Sequence, residues 1–469
     1  MDSSTVRQTG LREKIQTRSM GVKLIVVCTM ALAMTIPALL VGNLVDDRTQ
    51  RAAEVVNEIS GHVGGRQVFL GPTLTIPYNI PAQYPGDLSR RGVYLIFPAR
   101  GEAALNTNTE DRRRSLFKVP VFRADLKFDA TFDLAGAPAS LPAGAELDWQ
   151  RAEIVIGVSD VRGALADATV SAGGKAWTLL PAGTTSELTI GGEKDTPRKL
   201  ALLGARLDGL AKPNAQFSVT STLRFSGAQR IAVLAYGKTT HVSVKGDWAS
   251  PGFDGGFLPI TRAVSRDGFS AQWSVPFIAR GVPAEGLAGS MAELDATQLG
   301  VSFIEVADPY QSVNRAVKYA LLFLGLLFLS YFVFEVTTGK RVHPAQYILV
   351  GMAQIIFYLL LLSLAERIGF DWGFGVAGTA TVVLLSVNAG WVFVSRLQGI
   401  RALVIFSLLY VMIYQLLRLE DNALLVGAIA SFLTVTAAMY FTRGMDWYGS
   451  GLVTGATGSA RPMADGNVS

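Results

Sequence analysis

With 469 residues, 50% of them hydrophobic, 17% charged and a mean hydropathy of +0.34, the chain is too apolar for an ordinary soluble enzyme and too polar to lie wholly within a membrane. Its net charge of +5 does not mark a nucleic-acid binder, because much of the Lys and Arg excess sits at the N-terminus and in short loops beside apolar runs, where it reads as a topology signal. The single cysteine, Cys28, lies in the first apolar run, which excludes an intramolecular disulfide and a cysteine metal cluster.

Residues 1–21 carry Arg7, Arg12, Lys14 and Arg18 against Asp2 and Glu13 and read as a basic cytoplasmic tail. The apolar run 22–45 is longer than the roughly 7–15 residues of a signal-peptide core, and no small-x-small cleavage site closes it; Ala31-Leu32-Ala33, the best competitor, lies in mid-run. An uncleaved signal anchor is expected, the first transmembrane helix, kinked at Pro37.

From 46 to 316 the texture changes to short alternating segments separated by Gly, Pro and Asp clusters, which predicts a folded β-rich periplasmic domain. After a helix around 48–59, the clearest pattern is 117–132. Phe117, Val119 and Val121 keep one phase of a period-two repeat, and Leu126, Phe128, Ala130 and Phe132 keep the next, predicting half-buried strands with a bulge or turn near Arg123. Further strands are predicted at 93–97, 153–158, 169–180, 216–225, 231–236, 240–245, 269–275 and 301–306, arranged as one large antiparallel sandwich or two smaller ones. Glycine and proline within 251–259 predict a packed loop there.

The block 317–442 reads as five further membrane helices, at about 317–336, 346–365, 373–394, 402–418 and 423–442. Between Tyr347 and Ala365 no side chain is charged, and helix is the conformation that leaves no backbone amide unpaired in lipid. The fold class expected is therefore a polytopic α-helical membrane protein of six transmembrane helices, with the β-rich periplasmic domain inserted between helices 1 and 2. Lys340, Arg341, Arg396, Arg401 and Arg443 fall on the side of the basic tail, while Arg367 and Arg418 on the other side have acidic neighbours, so both termini are expected in the cytoplasm. Tyr319, Tyr347, Trp372, Trp447 and Tyr448 sit near predicted helix ends, where aromatic rings favour the headgroup level. Asp308-Pro309-Tyr310 is expected to form a short, stiff junction, and residues 443–469 a disordered cytoplasmic tail.

Chemistry-bearing motifs are sparse. His62, His241 and His343 have no zinc-site spacing, and no Gly-x-Ser-x-Gly elbow occurs, so no catalytic, cofactor or metal residue is assigned. Gly237-Lys238-Thr239 resembles the end of a phosphate loop but lacks the first glycine at Ala232, and reads as a hairpin. In the apolar block Glu335, Glu366, Glu420 and Asp421 lie at helix ends within reach of headgroups, with Arg367 beside Glu366 and Arg418 near Glu420; Gln415 is also polar. Gln354 and Asn388 lie deeper and read as interhelical hydrogen bonds. Gly369 and Gly373 match a close-packing spacing at a loop boundary, where a turn is the simpler reading.

The order of anchor, β domain and five-span block, together with LVGMAQIIFYLLLLSLAERIGF, VSFIEVADPYQSVNRAVKYALLF, GDWASPGFDGGFLP and the final YFTRGMDWY, resembles the CreD family of bacterial inner-membrane, cell-envelope integrity proteins. The likeness covers nearly the whole chain and is weakest between about Arg100 and Pro213. It implies an inner-membrane protein linked to envelope integrity, the response to envelope stress including β-lactams, and colicin tolerance. The family brings no catalytic residues. A non-enzymatic envelope protein is therefore expected, with membrane lipid and other envelope proteins or peptidoglycan-related components as partners and no nucleic acid. A transporter or channel is the alternative, and a periplasmic hydrolase the third reading.

Overall fold

The structure, a computed structural model, describes residues 20–82, 89–114, 117–193, 196–206, 209–303, 309–418 and 423–443. It divides into two compact units, Gln50–Val306 and the segments on either side of it, called here the β unit and the helical unit.

The strands of the β unit are, in chain order, β1 (Gln67–Ile80), β2 (Arg90–Ile96), β3 (Arg100–Arg114), β4 (Phe117–Asp133), β5 (Glu146–Leu147), β6 (Glu153–Val158), β7 (Thr169–Ala172), β8 (Lys175–Thr178) and β9 (Leu180–Pro181). They continue with β10 (Glu187–Glu193), β11 (Thr196–Arg206), β12 (Gln216–Ala228), β13 (Arg230–Leu234), β14 (Thr239–Gly246), β15 (Pro251–Gly255), β16 (Thr261–Ser265), β17 (Gly268–Val275), β18 (Glu285–Leu287) and β19 (Gln298–Phe303). One sheet runs β10-β11-β6-β1-β13-β19-β15, with β2 and β5 also on β1, β18 on β2 and β9 on β11; the second runs β16-β17-β14-β3-β4-β12-β7-β8. Their inner faces bury one continuous core that includes Phe69, Tyr94, Phe128, Phe225 and Tyr236, which makes a single sandwich.

Most pairs are antiparallel as expected, but β1 with β13 and β14 with β3 are parallel. The turn at Gly237-Lys238 explains the second: β13 and β14 belong to different sheets, so this turn carries the chain across the sandwich and the hairpin reading of that motif is corrected. Tyr236, just before the turn, fills the space between the sheets. Its ring lies edge-on to Phe128, and its hydroxyl reaches the carbonyls of Glu102 at 2.7 Å and Asp129 at 3.0 Å. A Cβ at Gly71 or Gly101 would come within 2.7 Å of that ring, which is why both positions are glycine.

The change of phase near Arg123 is not a bulge. β4 pairs without a register shift to β3 and β12 along its length. Instead the strand is buried on opposite faces in turn: Val119 and Val121 pack under Val56, Ile59 and Val63, and from Phe122 onward the even-numbered residues face the sandwich core. The single strand expected at 169–180 is a hairpin, β7 and β8, turning at Gly173 and Gly174, both at positive φ. The loop expected at 251–259 contains a strand, β15, paired to β19. It lies at the end of its sheet, where proline and glycine are tolerated, and Phe253 packs against Phe269 and Trp273.

The helical unit begins with α1 (Met20–Ala33) and the first part of α2 (Thr35–His62), whose residues from Gln50 onward belong to the β unit. The irregularity at Met34 lies one turn before Pro37, whose missing N–H removes a bond to the preceding turn. The separate helix expected near 48–59 is the continuation of α2. A one-turn helix, α3 (Phe277–Arg280), belongs to the β unit; α4 (Pro309–Lys318), α5 (Ala320–Thr338), α6 (Pro344–Ile368), α7 (Phe370–Val392), α8 (Arg396–Arg418) and α9 (Ala423–Thr442) complete the helical unit. Among the described residues, five helical stretches are long and apolar enough to cross a membrane: Val22–His62, α5, α6, α7 and α8. The residues expected as a sixth span, 423–442, are helical as α9, which is not among these five.

Candidate functional site

Two regions gather polar side chains. The first lies inside the helical unit. Glu335, near the end of α5, is 1% exposed; it forms an ion pair with Lys23 of α1, and accepts hydrogen bonds from the Val342 amide at 2.9 Å and the Tyr347 hydroxyl at 3.0 Å. Lys23 also donates to the Val342 carbonyl at 3.0 Å. This corrects the headgroup reading of Glu335, which needs no headgroup because three protein donors converge on its carboxylate. It corrects Tyr347 as well, since the ring is buried against Phe328 and Tyr331. The pair holds the first apolar helix to the loop between α5 and α6. Losing one partner of such a contact costs more in an apolar surround than on a wet surface.

Deeper in the unit, Gln354 Oε1 accepts from the Tyr410 hydroxyl at 2.7 Å, and Asn388 Nδ2 donates at 3.1 Å to the Tyr331 hydroxyl, which itself donates to the Leu385 carbonyl at 3.0 Å. Both are the interhelical bonds the sequence predicts. Gln354 Nε2 and the Tyr358 hydroxyl, one turn apart on α6, are buried with no partner among the described residues. Glu366 accepts from the Tyr310 hydroxyl at 3.0 Å, anchoring α4 on α6; Asp308 lies outside the described residues. Arg418 pairs with Asp371 and lies near Tyr414, whereas its expected neighbour Glu420, with Asp421, lies outside the described residues. Gln415 is exposed, and Trp372 is 75% exposed, in keeping with an interfacial ring. Trp447 and Tyr448 lie outside the described residues.

Gly369 takes a positive φ and ends α6, as a turn should. Gly373 is also a close-packing position, since a Cβ there would lie 2.9 Å from the Ala365 amide nitrogen. His343 caps α6, its Nδ1 accepting from the Ala345 amide at 3.2 Å.

The second region is the outer face of the sheet containing β3 and β4. Along β3 every second residue from Glu102 to Asn108 is exposed, and the register aligns them across strands. One row runs Ser274, His241, Glu102, Asp129, Thr220; the next runs Gln272, Ser243, Ala104, Lys127, Thr222. Lys127 pairs with Asp129 at 2.8 Å, Thr220 donates to Asp129 at 2.6 Å, and Arg100 pairs with Glu102 at 2.7 Å. The Asp129 hydrogen bond and charge raise the Lys127 ammonium above its ordinary value, so it stays cationic. Small side chains at Ala104 and Ser243 among these longer ones leave a cleft of about 320 Å³, which adjoins a second of about 460 Å³ at Ala104 and Lys127. This is a concave, mixed-charge surface suited to a polar ligand. Sequence reasoning did not find it, because β3 contributes mostly polar residues and reads as loop; the period-two burial of Ala103, Leu105 and Thr107 was the available signal.

The chain is 28% identical to the inner membrane protein CreD of Escherichia coli (strain K12) over 423 residues, covering 89% of this chain and 91% of that protein. The family model for the inner membrane protein CreD matches residues 19–448. With a helical unit of several apolar helices and a large β unit between the first and the rest, the chain is a multi-pass inner membrane protein and belongs to the CreD family.

Proposed function

We propose that this protein is a non-enzymatic support of cell-envelope integrity, acting in the response to envelope stress, including β-lactams, through its β unit. In this reading six helices cross the inner membrane, both termini are cytoplasmic, and the β unit lies in the periplasm as a docking face for another envelope component. The observation that carries it is the contrast in polar groups: the cleft around Ser243 and Ala104 is open to solvent, while Glu335, Gln354, Asn388 and Glu366 are engaged with other helices. Two measurements test it. Cytoplasm-specific fluorescent fusions should be bright after Gly399 and Gly449 and dark at Gly192 and Gly369. Deleting the gene should sensitise cells to a β-lactam; unchanged sensitivity, or a bright Gly192 fusion, would remove the proposal.

A further inference from the structure

Arg280 closes α3, the single helical turn after β17. The residues before it face solvent, Ile278 being 92% exposed, but Arg280 turns inward and is only 3% exposed. Its guanidinium carbon lies 4.1 Å from the centre of the Phe97 ring, and Nη1 donates to the Pro283 carbonyl at 3.3 Å. Nε and Nη2 are buried without a partner, and among the described residues no carboxylate pairs with the side chain. Elsewhere this unit supplies the missing charge: Arg230, also deeply set, bonds to Asp254 at 2.7 Å and to Gln298 at 2.6 Å. A cation over an aromatic face recovers part of the cost of leaving water, but an unpaired buried charge is normally matched by an anion.

The two free nitrogens form one edge of the guanidinium plane. Their N–H bonds run parallel, at the spacing that grips two oxygens of a carboxylate or phosphate. We propose that Arg280 is an oxyanion-binding residue, holding the carboxylate or phosphate group of a small ligand on its Nε–Nη2 edge beneath the exposed turn Phe277–Ala279. Gly281, at φ +71°, ends the turn in the left-handed conformation that glycine adopts most easily. Burial pushes the Arg280 pKa down to about 10, which still leaves the group cationic at neutral pH.

The test is hydrogen exchange on the full chain in detergent, at constant ionic strength, comparing chloride with inorganic phosphate and with acetate. Amides from Phe277 to Val282 should exchange about tenfold more slowly at a concentration ten times the dissociation constant of the bound anion. Phosphate and acetate arms separate the two oxyanion classes. Arg280→Met should abolish the slowing, and Arg280→Lys, which keeps the charge without the paired edge, should weaken it. Identical exchange of the wild type in all three salts would overturn the proposal even if neither variant folds. So would equal slowing in Arg280→Met.

Discussion

In the helical unit, Glu335, Gln354, Asn388 and Glu366 each bond to a residue on another helix or in an interhelical loop, and much of the outward surface is Leu, Ile, Val and Trp. On the outer face of the β3–β4 sheet the polar side chains bond to their neighbours on the same surface and leave a cleft between them. A polar group in an apolar surround is costly to leave without a protein partner. One on a wet sheet face is free to exchange its partner for a ligand. Residue type alone would have ranked Glu335 above Ser243 as a functional candidate, and the surroundings reverse that order.

The largest expected effect comes from breaking the ion pair. Lys23→Met leaves the Glu335 carboxylate buried without its counter-charge and should cost about 3–5 kcal/mol, whereas adding Glu335→Met should restore much of the loss. Thermal unfolding in detergent of the single and double variants measures this. A harmless single substitution would place the pair among wet surface contacts. Gly101→Ala follows, at about 1–3 kcal/mol, because its Cβ meets the Tyr236 ring, and it should lower the melting temperature of the β unit. Tyr410→Phe should cost about 1 kcal/mol through the lost bond to Gln354.

The smallest effect is on pH dependence. The Arg162 side chain, and to a lesser degree its backbone amide, hold the Asp160 carboxyl below its ordinary value. A depressed folded pKa stabilises above the unfolded value of about 3.9 and loses that contribution as pH falls through the folded value. Wild type and Asp160→Asn should therefore differ slightly in melting temperature near neutral pH and converge in strong acid. A gap that widens on acidification would contradict the assignment.

What could be read in the sequence followed from how each segment is buried. The membrane helices were legible because uncharged runs of their length have few other solutions, and β6 was placed at its observed bounds. β1 was missed because it is buried on both faces and so does not alternate, and because Gly71-Pro72 looks like a turn; the structure puts them at a register shift within the strand. The Lys23–Glu335 pair spans 312 residues, and each charge sits at the edge of an apolar run, where a topology signal is the local reading. Only the packing of helices brings them together. The cleft was hidden for a related reason, since its residues come from β3, β4, β14 and β17 and no local pattern joins them.

The central claim is that the working surface lies on the β unit and that the polar groups of the helical unit serve its assembly. The most direct measurement is β-lactam survival of a deletion strain carrying either Ser243→Tyr, which fills the cleft, or Gln354→Leu, which empties the polar centre between α6 and α8. With both variants expressed at wild-type levels, the account predicts that Ser243→Tyr fails to complement and Gln354→Leu complements fully. Loss of complementation by Gln354→Leu together with full activity of Ser243→Tyr would contradict it and place the function among the helices.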